Sequence, residues 1–120
     1  MKITIKYTNI EPSPAIEDYA KKKINSLGKY TKWIEAQKKT PEEVIFAQLE
    51  VGKTTRHHQE GKVWYAECQF EVPGKIFRAT STHYRLEAAI DEIREKMEIL
   101  LREYKEKKET ERKGTLGRKE

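Results

Sequence analysis

The cysteine and histidine side chains are the first candidates for a nucleophile or a metal ligand, but their spacing favours other roles. The single cysteine, Cys68, alternates with polar neighbours within a predicted strand and points inward, which predicts a buried, unreactive thiol. His57 and His58 are adjacent, so they point to opposite sides of an extended segment, and no cysteine or aspartate stands beside them to complete a metal site. A surface contact is the better interpretation, and a metal ligand is the alternative. We therefore predict a protein that is not an enzyme and that holds no metal or cofactor.

Basic side chains are the remaining candidates for function. The 120 residues include 25 Lys and Arg against 20 Asp and Glu, a formal net charge of +5. A basic excess in a small domain predicts a polyanionic partner, either nucleic acid or an anionic membrane surface, with ordinary solvated charge as the alternative. The basic residues and the neighbouring histidines fall into three groups along the chain: Lys21, Lys22, Lys23, Lys29 and Lys32; Lys53, Arg56, His57, His58 and Lys62; and Arg85, Arg94, Lys96, Arg102 and Lys105.

The third group lies on the longest predicted helix, over about residues 85–107. Apolar residues recur there at spacings of three and four, which predicts one buried stripe: Leu86, Ala89, Ile90, Ile93, Met97, Leu100, Leu101 and Tyr104. Arg85 and Lys96 flank one edge of this stripe, and Arg94 and Lys105 flank the other. If a second helix lies alongside over a sheet, edge residues from both helices can border one groove, where a phosphate backbone would be a suitable partner.

The remaining elements are predicted from alternation, turn residues and caps. The order is β-α-β-β-β-α, with strands over residues 2–8, 44–55, 62–72 and 76–81 and a first helix over residues 14–29. Ser13 is placed to cap that helix, Gly28 is a stop signal, and Pro73-Gly74 predicts a hairpin turn. Residues 31–43 are predicted to be a connection.

This order predicts an α+β fold: one four-stranded, mostly antiparallel sheet with two helices packed on one face. The first two strands are joined through a helix and are expected to be parallel neighbours. We predict a single domain over residues 1–105 and a basic, disordered tail over residues 106–120. No apolar run approaches the ~20 residues of a membrane span. With one cysteine and no signal-peptide core, the sequence predicts a cytoplasmic protein.

The sequence also resembles a known family, the short form of the ribosome hibernation-promoting factor and ribosome-associated inhibitor family, over about residues 1–107. The residues that carry the resemblance are Ser13-Pro14-Ala15-Ile16, Tyr19, Lys23, Leu27, Lys29-Tyr30, the hairpin of residues 51–67, Pro73-Gly74-Lys75, Arg78-Ala79, Ala88-Ala89-Ile90-Asp91, Arg102 and Tyr104-Lys105. The order and spacing of these residues, rather than any one motif, make the resemblance specific.

The resemblance implies a fold similar to double-stranded-RNA-binding domains and a monomer that binds the small ribosomal subunit, with no membrane partner. Members of the family occupy the path of mRNA and the A- and P-site tRNAs, and so inhibit translation under stress or in stationary phase. The candidate contacts to rRNA that it implies are Lys23, Lys29, Arg78, Lys96, Arg102 and Lys105, with Lys53, Arg56, His57 and His58 of the hairpin as additional ones.

Three departures from the family pattern weaken part of this expectation. Glu87 replaces a frequent aromatic residue, Ile99 and Glu103 replace frequent basic residues, and the connection over residues 33–43 is longer than usual. The long form of the family adds a C-terminal dimerisation domain, for which this sequence has no counterpart.

A protein-interaction module that modulates a sigma factor or RNA polymerase is the alternative function, with outward Val44, Phe46 and Tyr65 as candidate contacts.

Overall fold

The structure is a computed structural model that describes residues 1–41, 43–54 and 61–117, with side chains described as far as residue 113. Four strands and three helices lie within these ranges. In chain order they are β1 (Lys2–Thr8), α1 (Pro14–Asn25), α2 (Gly28–Ala36), β2 (Phe46–Lys53), β3 (Trp64–Val72), β4 (Lys75–His83) and α3 (Leu86–Gly117). The predicted α+β class is confirmed, and α2 is an additional helix. The predicted likeness to double-stranded-RNA-binding domains stays a prediction.

The strands form one mixed sheet in the order β1-β2-β3-β4. Strands β1 and β2 are parallel, with Lys2 opposite Phe46, whereas β2–β3 and β3–β4 are antiparallel. A parallel pair needs a crossover connection, and α1 and α2 supply it. The prediction of a mostly antiparallel sheet with a parallel first pair is therefore confirmed.

Alternation along the strands divides the sheet into a buried face and an exposed face. On β3, Ala66, Cys68, Phe70 and Val72 are buried while the residues between them are half-exposed. Helix α3 packs on β3 and β4 over the buried face, and α1 packs beside α3. The predicted apolar stripe of α3 is confirmed, because its central members, such as Ile93 and Met97, are completely buried.

The helix predicted over residues 14–29 is in fact two helices. Ser13 caps α1 as predicted, since its Oγ accepts a hydrogen bond from the Ile16 N–H at 3.3 Å. Helix α1 ends at Asn25, and α2 begins at Gly28 after the buried Leu27. Apolar residues continue at helical spacing across this break, so spacing alone did not show it. The predicted connection over residues 31–43 is wrong for residues 31–36, which belong to α2.

Helix α3 is longer than predicted, because it continues to Gly117 where the sequence predicts a disordered tail from residue 106. Ion pairs along the helix support the extension: Lys105 Nζ lies 3.1 Å from Glu109 Oε1, one helical turn later. The structure thus differs from the expectation of disorder over residues 106–117, while the domain limit at residue 105 stays a prediction.

Within the described ranges, no helix has both the length and the apolar character that crossing a bilayer requires.

Candidate nucleic-acid interface

Lys23 lies where α1 meets α3. Its Nζ is 3.2 Å from Asp91 Oδ1 and 5.5 Å from the centre of the Tyr19 ring. The Tyr19 hydroxyl donates a 2.5 Å hydrogen bond to the same Oδ1, and this bond raises the pKa of Tyr19 to about 12. Asp91 therefore ties α1 to α3 and also holds Lys23 at the surface of this junction.

Arg94 lies one turn further along the same junction and has a structural role. Its Nε donates to Ser26 Oγ at 2.8 Å, and its Nη1 lies 2.9 Å from Glu98 Oε2. Its side chain is only 18% exposed. This arginine joins the end of α1 to α3 and has little remaining capacity to bind a partner.

Lys29, Arg102 and Lys105 lie on α2 and on the middle of α3. Lys29 Nζ is 4.9 Å from the centre of the Tyr30 ring, and Lys105 Nζ is 6.0 Å from the centre of the Trp33 ring. Arg102 is exposed. Within the described part of the chain, Lys29 and Arg102 have no carboxylate partner, whereas Lys105 pairs with Glu109. Lys29 and Arg102 are thus the most available cations on the helices among the predicted contacts.

Lys96 lies on the opposite edge of α3. Its Nζ donates to the Thr80 carbonyl of the edge strand β4 at 2.7 Å and lies 3.2 Å from Glu92 Oε1. This ammonium group holds the pKa of Glu92 below its ordinary value. Lys96 therefore faces β4, not α1. Of the two predicted edges of the apolar stripe, the edge with Arg94 is the one that lies beside α1.

The hairpin contacts are only partly described. Lys53, the last residue of β2, lies with its Nζ 4.7 Å from the centre of the Trp64 ring. Arg56, His57 and His58 lie outside the described residues, so their predicted contact with rRNA stays a prediction. Within the described ranges, no group of three His, Cys, Asp or Glu side chains is arranged to hold a metal ion.

Arg78 is separated from the other candidates by the sheet itself. Phe77 and Ala79 are buried under α3, so Arg78 between them points to the opposite face. There it pairs with Glu67 on β3. We call this surface the open sheet face; its members include Lys2, Lys6, Phe46, Glu67, Ile76 and Arg78.

The structure thus places those predicted contacts that it describes on three surfaces. The helix-covered side of the domain carries Lys23, Lys29, Lys53, Arg102 and Lys105, the β4 edge carries Lys96, and the open sheet face carries Arg78. In the ion pairs of Lys23, Lys96 and Lys105, each lysine side chain is between one third and one half exposed. Exposed pairs are worth only ~0–1 kcal/mol each. A phosphate group can therefore replace the carboxylate partners at little cost.

Cys68 is completely buried, and burial raises its pKa to about 12. The predicted buried position of this thiol is therefore confirmed.

Sequence reasoning missed a second basic group, at the end of the domain where α2 and the extended α3 lie together. Lys75 Nζ and Lys108 Nζ each lie 5.7 Å from the centre of the Tyr104 ring. Arg112 Nη1 donates to Gln37 Oε1 at 3.5 Å. The helical spacing of Tyr104, Lys108 and Arg112 could have indicated this group, but Lys108 and Arg112 were assigned to a disordered tail.

A small basic α+β domain with cations on its helix-covered side is typical of the class of proteins that bind polyanions. The comparison with protein families gives the particular family. The model of the family described as "Sigma 54 modulation protein / S30EA ribosomal protein" matches residues 3–109, and the chain belongs to this family.

Individual relatives agree with that assignment. The chain is 30% identical over 97 residues to a ribosome hibernation promotion factor of Deinococcus radiodurans, covering 81% of this chain and 45% of the relative. The chain thus spans about half the length of this relative.

Two solved structures have the same fold. The crystal structure of the Protein Y N-terminal domain from Thermus thermophilus is 26% identical, with a TM-score of 0.66 over 87% of this chain and 99% of that one. A ribosomal subunit interface protein from Coxiella burnetii is 17% identical, with a TM-score of 0.61 over 88% and 98% of the two chains, and this likeness concerns the fold alone.

Proposed function

We propose that this chain is a ribosome hibernation factor that binds rRNA of the small subunit and acts without catalysis. It occupies the channel used by mRNA and tRNAs, and so inhibits translation in the cytoplasm under stress or in stationary phase. The observation that carries this proposal is the family match over residues 3–109, together with 30% identity to a ribosome hibernation promotion factor.

The helix-covered side is the proposed binding side. It carries the available cations Lys29 and Arg102 and the exchangeable cations Lys23 and Lys105, and Lys53 stands at its hairpin end. Arg56, His57 and His58, which lie outside the described residues, are additional candidate contacts in the proposal. Lys96 lies at its margin, and Arg78 lies on the other face, which sets it apart from the main contact.

Phosphate contacts dominate such binding, so affinity should fall steeply with salt. If about six phosphates are contacted, the slope of log affinity against log salt should be near −4, at ~0.7 per contact. Co-sedimentation of the monomeric protein with purified small subunits across a salt series measures this slope. A slope near zero, or no co-sedimentation at low salt, would refute the proposal.

The family description also names sigma 54 modulation, and one surface feature favours a protein partner. Phe46 and Ile76 are 37% and 60% exposed on the open sheet face, and Val44 is 36% exposed just before β2. Tyr65 is less available because its hydroxyl donates to Glu50 Oε2 at 2.5 Å. The alternative is therefore a module that contacts a sigma factor or RNA polymerase through this face.

A direct comparison separates the two functions. Immobilised protein is exposed to purified small subunits and to purified sigma 54, with and without Phe46→Ser and Ile76→Ser. The hibernation proposal predicts binding to the subunit, unaffected by the two substitutions. Binding to sigma 54 alone, lost on substitution, would establish the alternative instead.

A further inference from the structure

A cleft of about 750 Å³ opens at one end of the domain, opposite to the end that carries the connection between β2 and β3. It lies where the end of α2, the loop after it, the β3–β4 turn and the extended part of α3 meet. Trp33 and Ile34 of α2, Pro73 of the turn and Tyr104 of α3 provide its apolar lining. This volume is within the range of small-ligand sites, which is ~300–1,000 Å³.

The aromatic rings of the cleft are held in a fixed arrangement. The rings of Trp33 and Tyr104 meet edge to face, with their centres 6.3 Å apart and an interplanar angle of 85°. Tyr104 meets Phe77 in the same way at 5.2 Å and 80°. Trp33 and Tyr104 are both half-buried. Edge-to-face packing fixes the rings without stacking their faces on each other. Lysine ammonium groups stand over these faces, so a flat group that stacks there must displace one of these flexible side chains.

The rim of the cleft is positively charged. Its lining includes four basic and two acidic side chains: Lys38, Lys39, Lys108, Arg112, Glu43 and Glu111. Two more ammonium groups stand above the same aromatic rings, since Lys105 Nζ is 6.0 Å from the Trp33 ring centre and Lys75 Nζ is 5.7 Å from that of Tyr104. Lys38 and Lys39 are exposed and can turn toward an incoming anion.

We propose that this cleft binds an unpaired base of single-stranded RNA. The base stacks on Trp33 or Tyr104, and the adjoining phosphates pair with the basic rim. Aromatic faces combined with cations are the usual means by which proteins hold single-stranded nucleic acid without reading its sequence. An acidic peptide would satisfy the rim but would leave the aromatic faces unused. The inference goes beyond the proposed function, because it requires neither a ribosome nor folded rRNA.

Trp33 itself can report binding. The chain has two tryptophans, so Trp64→Phe leaves Trp33 as the only fluorescent indole. A hexa-adenylate RNA titrated into this variant should quench the fluorescence of Trp33 in a saturable manner. An abasic RNA backbone of the same length and a hexaglutamate peptide should bind at least about fivefold more weakly, because both lack the stacking group.

Anisotropy of a labelled hexa-adenylate then measures variants in the otherwise native chain. Trp33→Leu should weaken binding at least about fivefold, the effect of removing one stacking platform. The pair Lys38→Gln and Lys39→Gln, on an exposed loop, should weaken binding without affecting the fold. The matched control, Lys2→Gln and Lys6→Gln on the open sheet face, changes the net charge equally and should leave the affinity unchanged.

The outcomes distinguish the possible occupants. Equal affinity for the abasic backbone would overturn the stacking contact, and equal affinity for hexaglutamate would make the cleft a site for acidic peptide. Equal affinity for AMP and hexa-adenylate would assign the cleft to a free nucleotide and overturn the single-stranded RNA assignment. Unchanged affinity in both Trp33→Leu and the Lys38/Lys39 variant would place any RNA binding elsewhere. None of these results depends on ribosome binding, which co-sedimentation tests separately.

Discussion

Neutralising Lys29 and Arg102 tests whether the helix-covered side binds the small subunit. Both side chains are exposed and lack a carboxylate partner among the described residues, so Lys29→Gln with Arg102→Gln leaves no acidic group newly unpaired. The cost to folding should be small, because the main loss is the cation–π contact between Lys29 and Tyr30, ~0.5–1 kcal/mol at an exposed site.

The loss of affinity should be far larger than the loss of stability. A hydrogen bond to a charged group is worth ~1.5–3 kcal/mol, so two lost phosphate contacts should weaken binding by about a hundredfold or more. Each lost contact should also reduce the magnitude of the salt slope by about 0.7–1. Fluorescence-detected sedimentation with purified small subunits, repeated across a salt series, gives both the affinity and the salt slope.

The matched control is Lys2→Gln with Lys6→Gln, which removes the same charge from the open sheet face. This variant should bind with nearly the native affinity and salt slope. If both double variants lose affinity equally, binding depends on net charge rather than on a defined side. If only the control loses affinity, the open sheet face is the binding side.

Three further predictions concern the fold. A Cβ at position 52 would lie 2.0 Å from the Thr8 carbonyl oxygen, so Gly52→Ala should lower the free energy of unfolding in urea by ~1–3 kcal/mol or more. The control Gly28→Ala, which has open space around the new Cβ, should not lower it. Equal effects of the two substitutions would contradict the close approach of β1 and β2 at Gly52. Cys68 should resist alkylation in the native protein at pH 8 and react after unfolding, because burial raises its pKa to about 12, and rapid native labelling would contradict this packing. Hydrogen bonds from Tyr65 and Thr8 hold the pKa of Glu50 below its ordinary value of 4.5 in the native protein. The stability that the Glu50 carboxylate contributes is therefore present above pH 4.5 and is lost as the pH falls through the lower native pKa. The difference in free energy of unfolding between the native chain and Glu50→Gln should shrink in that range, and a constant difference would contradict the lowered pKa.

The sheet could be predicted closely because strand alternation has a period of two and the turns carry strong signals. Cys68, Phe70 and Phe77 are buried as the alternation indicates. The break between α1 and α2 could not be predicted in this way. Leu27 and Tyr30 continue the apolar spacing of Ile24, so this spacing does not show that α1 ends at Asn25 and that a second helix begins at Gly28.

The candidate site was predictable in composition but not in arrangement. The sequence identifies Lys23, Lys96 and Arg78 as basic residues on predicted helices or strands. It does not show that Lys23 pairs with Asp91 and Arg78 with Glu67, because these contacts depend on how distant segments meet. Lys96 pairs with Glu92 one helical turn away, but its contact with Thr80 of β4 also depends on tertiary packing. The aromatic cleft was missed for a related reason. Its wall requires α3 to continue past residue 105, and the apolar stripe that identifies a helix from sequence ends at Tyr104.

A density map of this chain bound to purified small ribosomal subunits would show whether the helix-covered side holds rRNA. We expect the domain to lie in the mRNA and tRNA channel, with Lys29 and Arg102 of the helix-covered side against rRNA phosphates. A domain bound outside that channel, or one whose open sheet face contacts the rRNA, would contradict it.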